Sequence, residues 1–383
     1  MSTPTNGPTC FIEFENNPEK VVYTGTVAIG TVRLTLPEPI TVRSVFIEIS
    51  GVACAKTTKR RRNYKSDWVY LNYREIFIGG ETILTPGTYT YEFVCSFSSD
   101  LPTSCEGIIG YKRYTATFTL KMPTNSYDFA EPFTVIRHID LNTMPHLREP
   151  IYKLYEEFSM YKSLLCCVSE YMKFAVHIPV GGYVPGQNIN IQINVYKSAD
   201  HVIHEFTAEL FKEINYSMTS TSSILPNKSR FSESFTLGRA DVNASEILAE
   251  GTVFLNIPVP AVPPTDLHCD AVIKDQYMLC ISAISYKTHQ IKIPIIIGSY
   301  PLRDDPIPSA SSFSDSAILS SAPPLFENTA LTPSAPSFPE NLSDAPNYDP
   351  PPTYEEATYL SNTSSNSFKP KYPSFKRKTS YSN

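Results

Sequence analysis

Four consecutive residues, Pro351-Pro352-Thr353-Tyr354, carry the most definite chemistry in this 383-residue sequence. Adjacent prolines fix φ and hold a segment in the polyproline II form, so the rings and the tyrosine enter aromatic grooves, such as those of a WW domain, at little ordering cost. Pro351, Pro352 and Tyr354 are the anchors. One such peptide binds at around micromolar strength, about −8 kcal/mol, and lasting engagement takes further contacts. Ala345-Pro346-Asn347-Tyr348 is a degenerate copy without the first proline. Upstream, Pro333, Ser334, Ala335 and Pro336 form the P-[ST]-A-P pattern read by the ubiquitin-E2-variant domain of ESCRT-I. In a tail dominated by proline, serine and alanine the same four residues also arise by chance.

Lys56, Lys59, Arg60, Arg61, Arg62 and Lys65 place six bases within ten residues, between two apolar runs. The spacing predicts an exposed hairpin loop. Its arginines suit anionic lipid or an acidic or phosphorylated peptide, against the plainer readings of a solvated loop or a nuclear signal. Cys166-Cys167 reads either as a palmitoylation site or, more simply, as two buried thiols. His201, His204 and Glu205 do not make H-E-x-x-H, and on a strand i and i+3 face opposite sides, so no metal site is expected there. No phosphate-binding loop, nucleophile elbow or metal-spaced Cys/His set occurs, so neither catalysis nor a cofactor is expected.

Alternation describes the elements that must position these groups. Apolar residues fall on every second position in Tyr114–Leu120, at Val45, Ile47 and Ile49, and at Ile189, Ile191, Ile193 and Val195. Turn pairs such as Pro86-Gly87, Gly79-Gly80 and Pro185-Gly186 punctuate the runs, and the pattern predicts short antiparallel strands in β-sandwiches. In Val27–Leu36 the apolar set changes parity at Gly30, which predicts a bulge there. Leu154, Phe158, Tyr161 and Leu165 have helical spacing and read as a short helix or an irregular linker. Superposing Gly25 on Gly186 reveals a weak repeat, so the chain divides into a sandwich over 8–145, a linker over 146–167 and a second sandwich over 168–298. Residues 299–383 hold 14 of the 33 prolines and 18 serines with little alternation, and are expected to be disordered. Eight cysteines without a CxxC fit reduced thiols, and no signal peptide or membrane span is read, so a cytosolic location is expected. A net charge of −6 argues against nucleic acid as the partner.

Taken in order, several segments resemble the α-arrestin (arrestin domain-containing) family over residues 10 to 298. They are Tyr23-x-Gly25-x-Val27-x-x-Gly30-x-Val32-x-Leu34, Pro86-Gly87-x-Tyr89-x-Tyr91-x-Phe93, Leu101-Pro102-x-Ser104-x-Glu106-Gly107, Val135-Ile136-x-His138-Ile139-Asp140, Gly182–Gln187 and Ile257–Thr265. The sequence departs from the family's pattern at Thr24, where proline is common, and at Cys105, where phenylalanine is common. The resemblance implies an all-β chain of two tandem arrestin-type, immunoglobulin-like β-sandwiches. It also implies that the WW domains belong to HECT-type ubiquitin ligases. The protein would then be a cytoplasmic adaptor that brings a ligase to membrane-protein cargo, promoting ubiquitination and endocytosis at plasma membrane and endosomes, with ESCRT-I as a further partner. The competing readings are a ligase-independent, retromer-like sorting scaffold and an enzyme built on a β-sandwich.

Overall fold

Alternating burial governs nearly every element. The structure, a computed structural model, describes residues 7–162, 167–196, 203–221, 227–243, 251–267, 272–285, 287–303 and 368–375. In chain order the first half forms β1 (Thr9–Phe14), β2 (Val21–Tyr23), β3 (Val27–Leu36), β4 (Ile40–Lys59), β5 (Arg62–Leu84), β6 (Gly87–Ser96), β7 (Cys105–Glu106), β8 (Gly110–Lys121) and β9 (Ser126–Ile136). Two single 3₁₀ turns, Leu141–Thr143 and Pro145–Arg148, follow. The second half forms β10 (Ile151–Lys162), β11 (Cys167–Ile178), β12 (Gly182–Tyr183), β13 (Asn188–Val195), β14 (Glu205–Ser220), β15 (Lys228–Asn243), β16 (Thr252–Pro258), β17 (Ile273–Ile284) and β18 (Thr288–Ile297).

Each half is a sandwich, as the alternation requires. In the first, the sheet β1-β3-β6 packs on β5-β4-β8-β9-β2. Val32, Leu34, Val45, Ile47, Ile49, Phe93, Phe118 and Phe133 fill the space between. In the second, β10-β11-β13-β16 packs on β12-β18-β17-β14, with β15 on the free edge of β14. Phe174, Ile189, Ile191, Ile193, Leu210 and Leu279 occupy that core. The strands are longer than the short ones expected: β4 has 20 residues and β5 has 23.

Three expectations are corrected. The bulge at Gly30 is absent: β3 keeps one unbroken register with both β1 and β6 through that residue. The parity change arises because Val27 and Ile29 are apolar but face outward, while the even positions face inward, half-buried at Ala28 and buried from Gly30 on. Gly30 serves a different need, since a Cβ there would lie 2.2 Å from the ring of Phe93. The helical spacing at Leu154 and Phe158 is coincidental. These residues are exposed on β10, which pairs with β11 along its whole length, so much of the expected linker 146–167 is an edge strand of the second sandwich. The connection lies earlier, in the 3₁₀ turns. The tail expected to be disordered packs against the body at 299–303 and 368–375.

The weak repeat corresponds to equivalent structure. Tyr23 ends a strand that pairs in parallel with Ile136, and Tyr183 one that pairs in parallel with Ile297. Gly25 and Gly186 then turn the chain at φ +78° and +92°. Ser104 Oγ accepts from the N–H of Val135 and Thr265 Oγ1 from that of Ile297. Tyr114 and Tyr277 each donate a buried hydroxyl to a proline carbonyl, Pro102 and Pro263. Buried hydroxyls need partners, so each half is pinned by the same two bonds.

Candidate functional site at the seam between the sandwiches

Two backbone pairings make the sandwiches share a sheet: Tyr64 with Ser220 and Lys65 with Thr219 join β5 to β14. Beneath them Ala53, Ala55, Cys105, Ile214, Tyr216, Met218 and Ile273 form a small core contributed by both halves. Beside this core lies a buried ionic cluster. Lys112 of β8 pairs with Asp266 and, at 2.8 Å, with Asp275 of β17. Lys212 of β14 pairs with the other oxygen of Asp275 at 3.0 Å. Cys105 donates its thiol to Asp275 at 3.1 Å, and the Asp275 N–H donates to Asp266 at 3.2 Å. All five side chains are buried.

Two ammonium groups and two carboxylates cancel, so the cluster is formally neutral. Burial works against charge on Asp275, yet Lys112 and Lys212 overcome it and hold this carboxyl below the usual range. Burial likewise opposes the charge on Lys112, and Asp266 and Asp275 lift its ammonium above that of an ordinary lysine. Burial, then Asp275, raises the Cys105 thiol well above its usual value, leaving it a neutral donor. A paired, hydrogen-bonded cluster of this kind fixes geometry more than it adds net stability. It can hold one domain orientation; it has no open face for a substrate.

A second polar group flanks it. Glu233 of β15 accepts from the Tyr216 hydroxyl and, at 3.0 Å, from the N–H of Ile108, while Arg113 of β8 pairs with Glu106 at 2.6 Å. Burial raises the Glu233 carboxyl despite those donors.

The predicted basic residues cap the same seam. Lys59 and Arg62 pair across a two-residue hairpin turn, and Arg60 and Arg61 both take positive φ, +50° and +63°. That is the backbone of a type I′ turn, normally given to Asn-Gly; arginine there is conformationally costly. All four side chains are exposed. Lys59 lies 5.5 Å over the ring of Phe231, Lys65 pairs with Asp67, and among the described residues Arg60, Arg61 and Arg62 form no ion pair. The tip therefore presents three uncompensated guanidinium groups beyond the end of the shared sheet. Pro333, Ser334, Ala335, Pro336, Pro351, Pro352 and Tyr354 lie outside the described residues, as does Cys166.

Lys112, Lys212, Asp266 and Asp275 were not singled out in the sequence, and Cys105 only as a departure from the family's pattern, though part of the signal was there. Lys112 is in phase with Tyr114, Ala116, Phe118 and Leu120; Lys212 is in phase with Leu210 and Ile214; Asp275 is in phase with Ile273 and Tyr277. A charge on the apolar parity of a strand announces an inward partner. The two departures from the family's pattern also find their use. The backbone N–H of Thr24, which proline lacks, donates to Ile136, and its hydroxyl accepts from His138.

Two family descriptions match this chain. The N-terminal domain of arrestin (or S-antigen) matches residues 10–142 and the C-terminal domain matches residues 169–302. Arrestin domain-containing protein 17 of Caenorhabditis elegans is 28% identical over 203 residues, 47% of this chain and 46% of that protein. Arrestin domain-containing protein 4 is 24% identical in Mus musculus and 25% in Homo sapiens over 312 residues, 75% of this chain and 71% and 70% of those proteins. The chain thus spans about half the length of the worm relative and more of the mammalian ones.

Proposed function

Because this chain is a tandem arrestin-domain protein, of an arrestin-like adaptor family, we propose that it recruits WW-domain HECT-type ubiquitin ligases to membrane-protein cargo. The observation that carries the reading is the presence of Pro351-Pro352-Thr353-Tyr354 on the same chain as the arrestin pair. A fold by itself implies little about activity, so the tail motif supplies the specific step. In this scheme the sandwiches meet the cytoplasmic part of the cargo, and the tethered motif raises the ligase concentration beside it. Lysines of the cargo or of the adaptor receive ubiquitin, and the cargo is then internalised and sorted. Pro333-Ser334-Ala335-Pro336 would pass it to ESCRT-I. The three free guanidinium groups at Arg60, Arg61 and Arg62 supply a contact for anionic lipid or for an acidic cargo tail, recruiting a cytoplasmic protein to plasma membrane and endosomes. The chain itself does no chemistry in this scheme: its buried ionizable cluster is neutral and closed.

The test is co-precipitation of ligase with the full chain and with Tyr354→Ala. Loss of ligase with an unchanged melting temperature is expected. Capture at the wild-type level refutes the assignment. In the matching peptide titration, phosphate on Tyr354 should weaken docking, since its charge does not suit an aromatic slot.

A further inference from the structure

Residues 368–375 come back from the far end of the chain to the seam, and their contacts are those of a bound extended peptide. Pro370 and Tyr372 are buried. The Tyr372 hydroxyl donates to the carbonyl of Ser104 at 2.8 Å. The N–H of Lys371 donates to Thr134 Oγ1 at 3.0 Å, and its ammonium pairs with Glu19 at 2.6 Å. Those partners belong to the first sandwich. Three residues beyond Tyr372, the N–H of Phe375 donates to the carbonyl of Pro185 at 2.7 Å, and its ring packs on Ile139, Leu141, Leu147 and Val184, the apolar cluster at the connection and the second sandwich. Gly186, at φ +92°, is what lets the two backbones approach: a Cβ there would lie 2.2 Å from the carbonyl oxygen of Phe375.

We propose that the seam is a peptide-binding groove for an extended segment of the pattern base–Tyr–Pro–x–aromatic, and that Lys371–Phe375 of this chain is its resident ligand. Each feature of the pattern has a counterpart in the groove. The base meets Glu19, the tyrosine reaches a carbonyl at the bottom, Pro373 keeps Tyr372 extended, and the last ring fills the apolar cluster. A phosphorylated tyrosine does not fit. It would bring close to two negative charges against a carbonyl acceptor in a buried place.

Occupancy follows from the tether. The segment Lys371–Phe375 belongs to the same chain as the groove, so it meets the groove intramolecularly, at an effective concentration on the order of 1 mM. For an intrinsic Kd about a tenth of that concentration, the groove is filled from within roughly nine-tenths of the time. A peptide of the same pattern from outside therefore meets about a tenfold disadvantage, which disappears once the resident segment is disabled.

The experiment titrates a fluorescent peptide of residues 366–378 into the full chain, either wild type, Tyr372→Ala or Phe375→Ala. Both substitutions lie in the terminal segment, outside both sandwich cores. Binding about tenfold tighter to each variant than to wild type is expected, and a version phosphorylated on Tyr372 should bind none of the three. Equal affinity for wild type and both variants, or undiminished binding of the phosphopeptide, overturns the proposal. So does a wild-type dimer at low micromolar concentration that Tyr372→Ala dissociates, because the segment would then occupy a second copy. The outcome is independent of the ligase reading, which rests on Tyr354.

Discussion

Asp275→Asn is the sharpest perturbation of the seam. Asp275 joins Lys112 and Lys212, and converting it to an amide leaves two ammonium groups facing the single carboxylate of Asp266 in a site without water access. Breaking a buried pair in this way costs about 3–5 kcal/mol, mostly because a charge is left uncompensated. At roughly 2–4 °C per kcal/mol for a body of this size, the melting temperature should fall by about 6–20 °C. Because both sandwiches contribute to the cluster, calorimetry should also show one transition in the wild type separating into two in the variant. The control is the double variant Asp275→Asn with Lys212→Met, which restores a one-to-one pair of Lys112 and Asp266. It should be more stable than the sum of the single effects by at least 1 kcal/mol. A loss below about 1 kcal/mol for Asp275→Asn, or strict additivity of the two changes, would refute the reasoning that charge balance holds the domains together.

Three further outcomes are expected. Gly30→Ala should cost about 1–3 kcal/mol by urea denaturation, because the added methyl meets the Phe93 ring, and Phe93→Leu in the same chain should recover part of it. Replacing Arg60-Arg61 by Asn-Gly should stabilise the hairpin by about 1 kcal/mol while weakening retention on vesicles containing anionic lipid; unchanged retention would make the tip a merely solvated turn. Glu233→Gln addresses pH. The raised carboxyl means the folded state holds its proton more tightly than the unfolded state, so that contribution is full below the ordinary glutamate range and is lost as pH rises through the raised value. The variant should gain on wild type as pH rises from 4 to 8, read from urea midpoints across that range, and a constant difference would count against the assignment.

Period-two patterning made the sandwiches legible, because a face that is buried must be apolar at every second residue, as at Val45, Ile47 and Ile49. It misled where apolar residues face outward. Val27 and Ile29 imitate a bulge, and Leu154 and Phe158 imitate a helix, since exposed apolar side chains obey no parity. The hairpin tip was visible as a charge cluster, but its positive φ values were not, as nothing in the residue types demands them. The seam was the hardest to foresee. Lys112, Lys212 and Asp275 each sit on the apolar parity of their own strand, but their pairing depends on how two distant halves meet. The return of Tyr372 to Ser104 spans 268 residues and rests on a few hydrogen bonds, one ion pair and packed rings, signals that a proline- and serine-rich tail conceals.

The two arms of the longest hairpin behave as a beam clamped at one end. Along β4, Val45, Ile47 and Ile49 are seated in the first interior, and Ala53 and Ala55 in the small interior shared by both halves. Between them Gly51 lets the Tyr114 ring lie flush against the strand, where a Cβ would come within 2.4 Å. A load applied to the arginines at the free end is thus carried by inextensible backbone past the joint and into the far side of the molecule. Whatever grips that end therefore also tugs on the joint, and anchoring and the set of the two halves cannot be tuned separately.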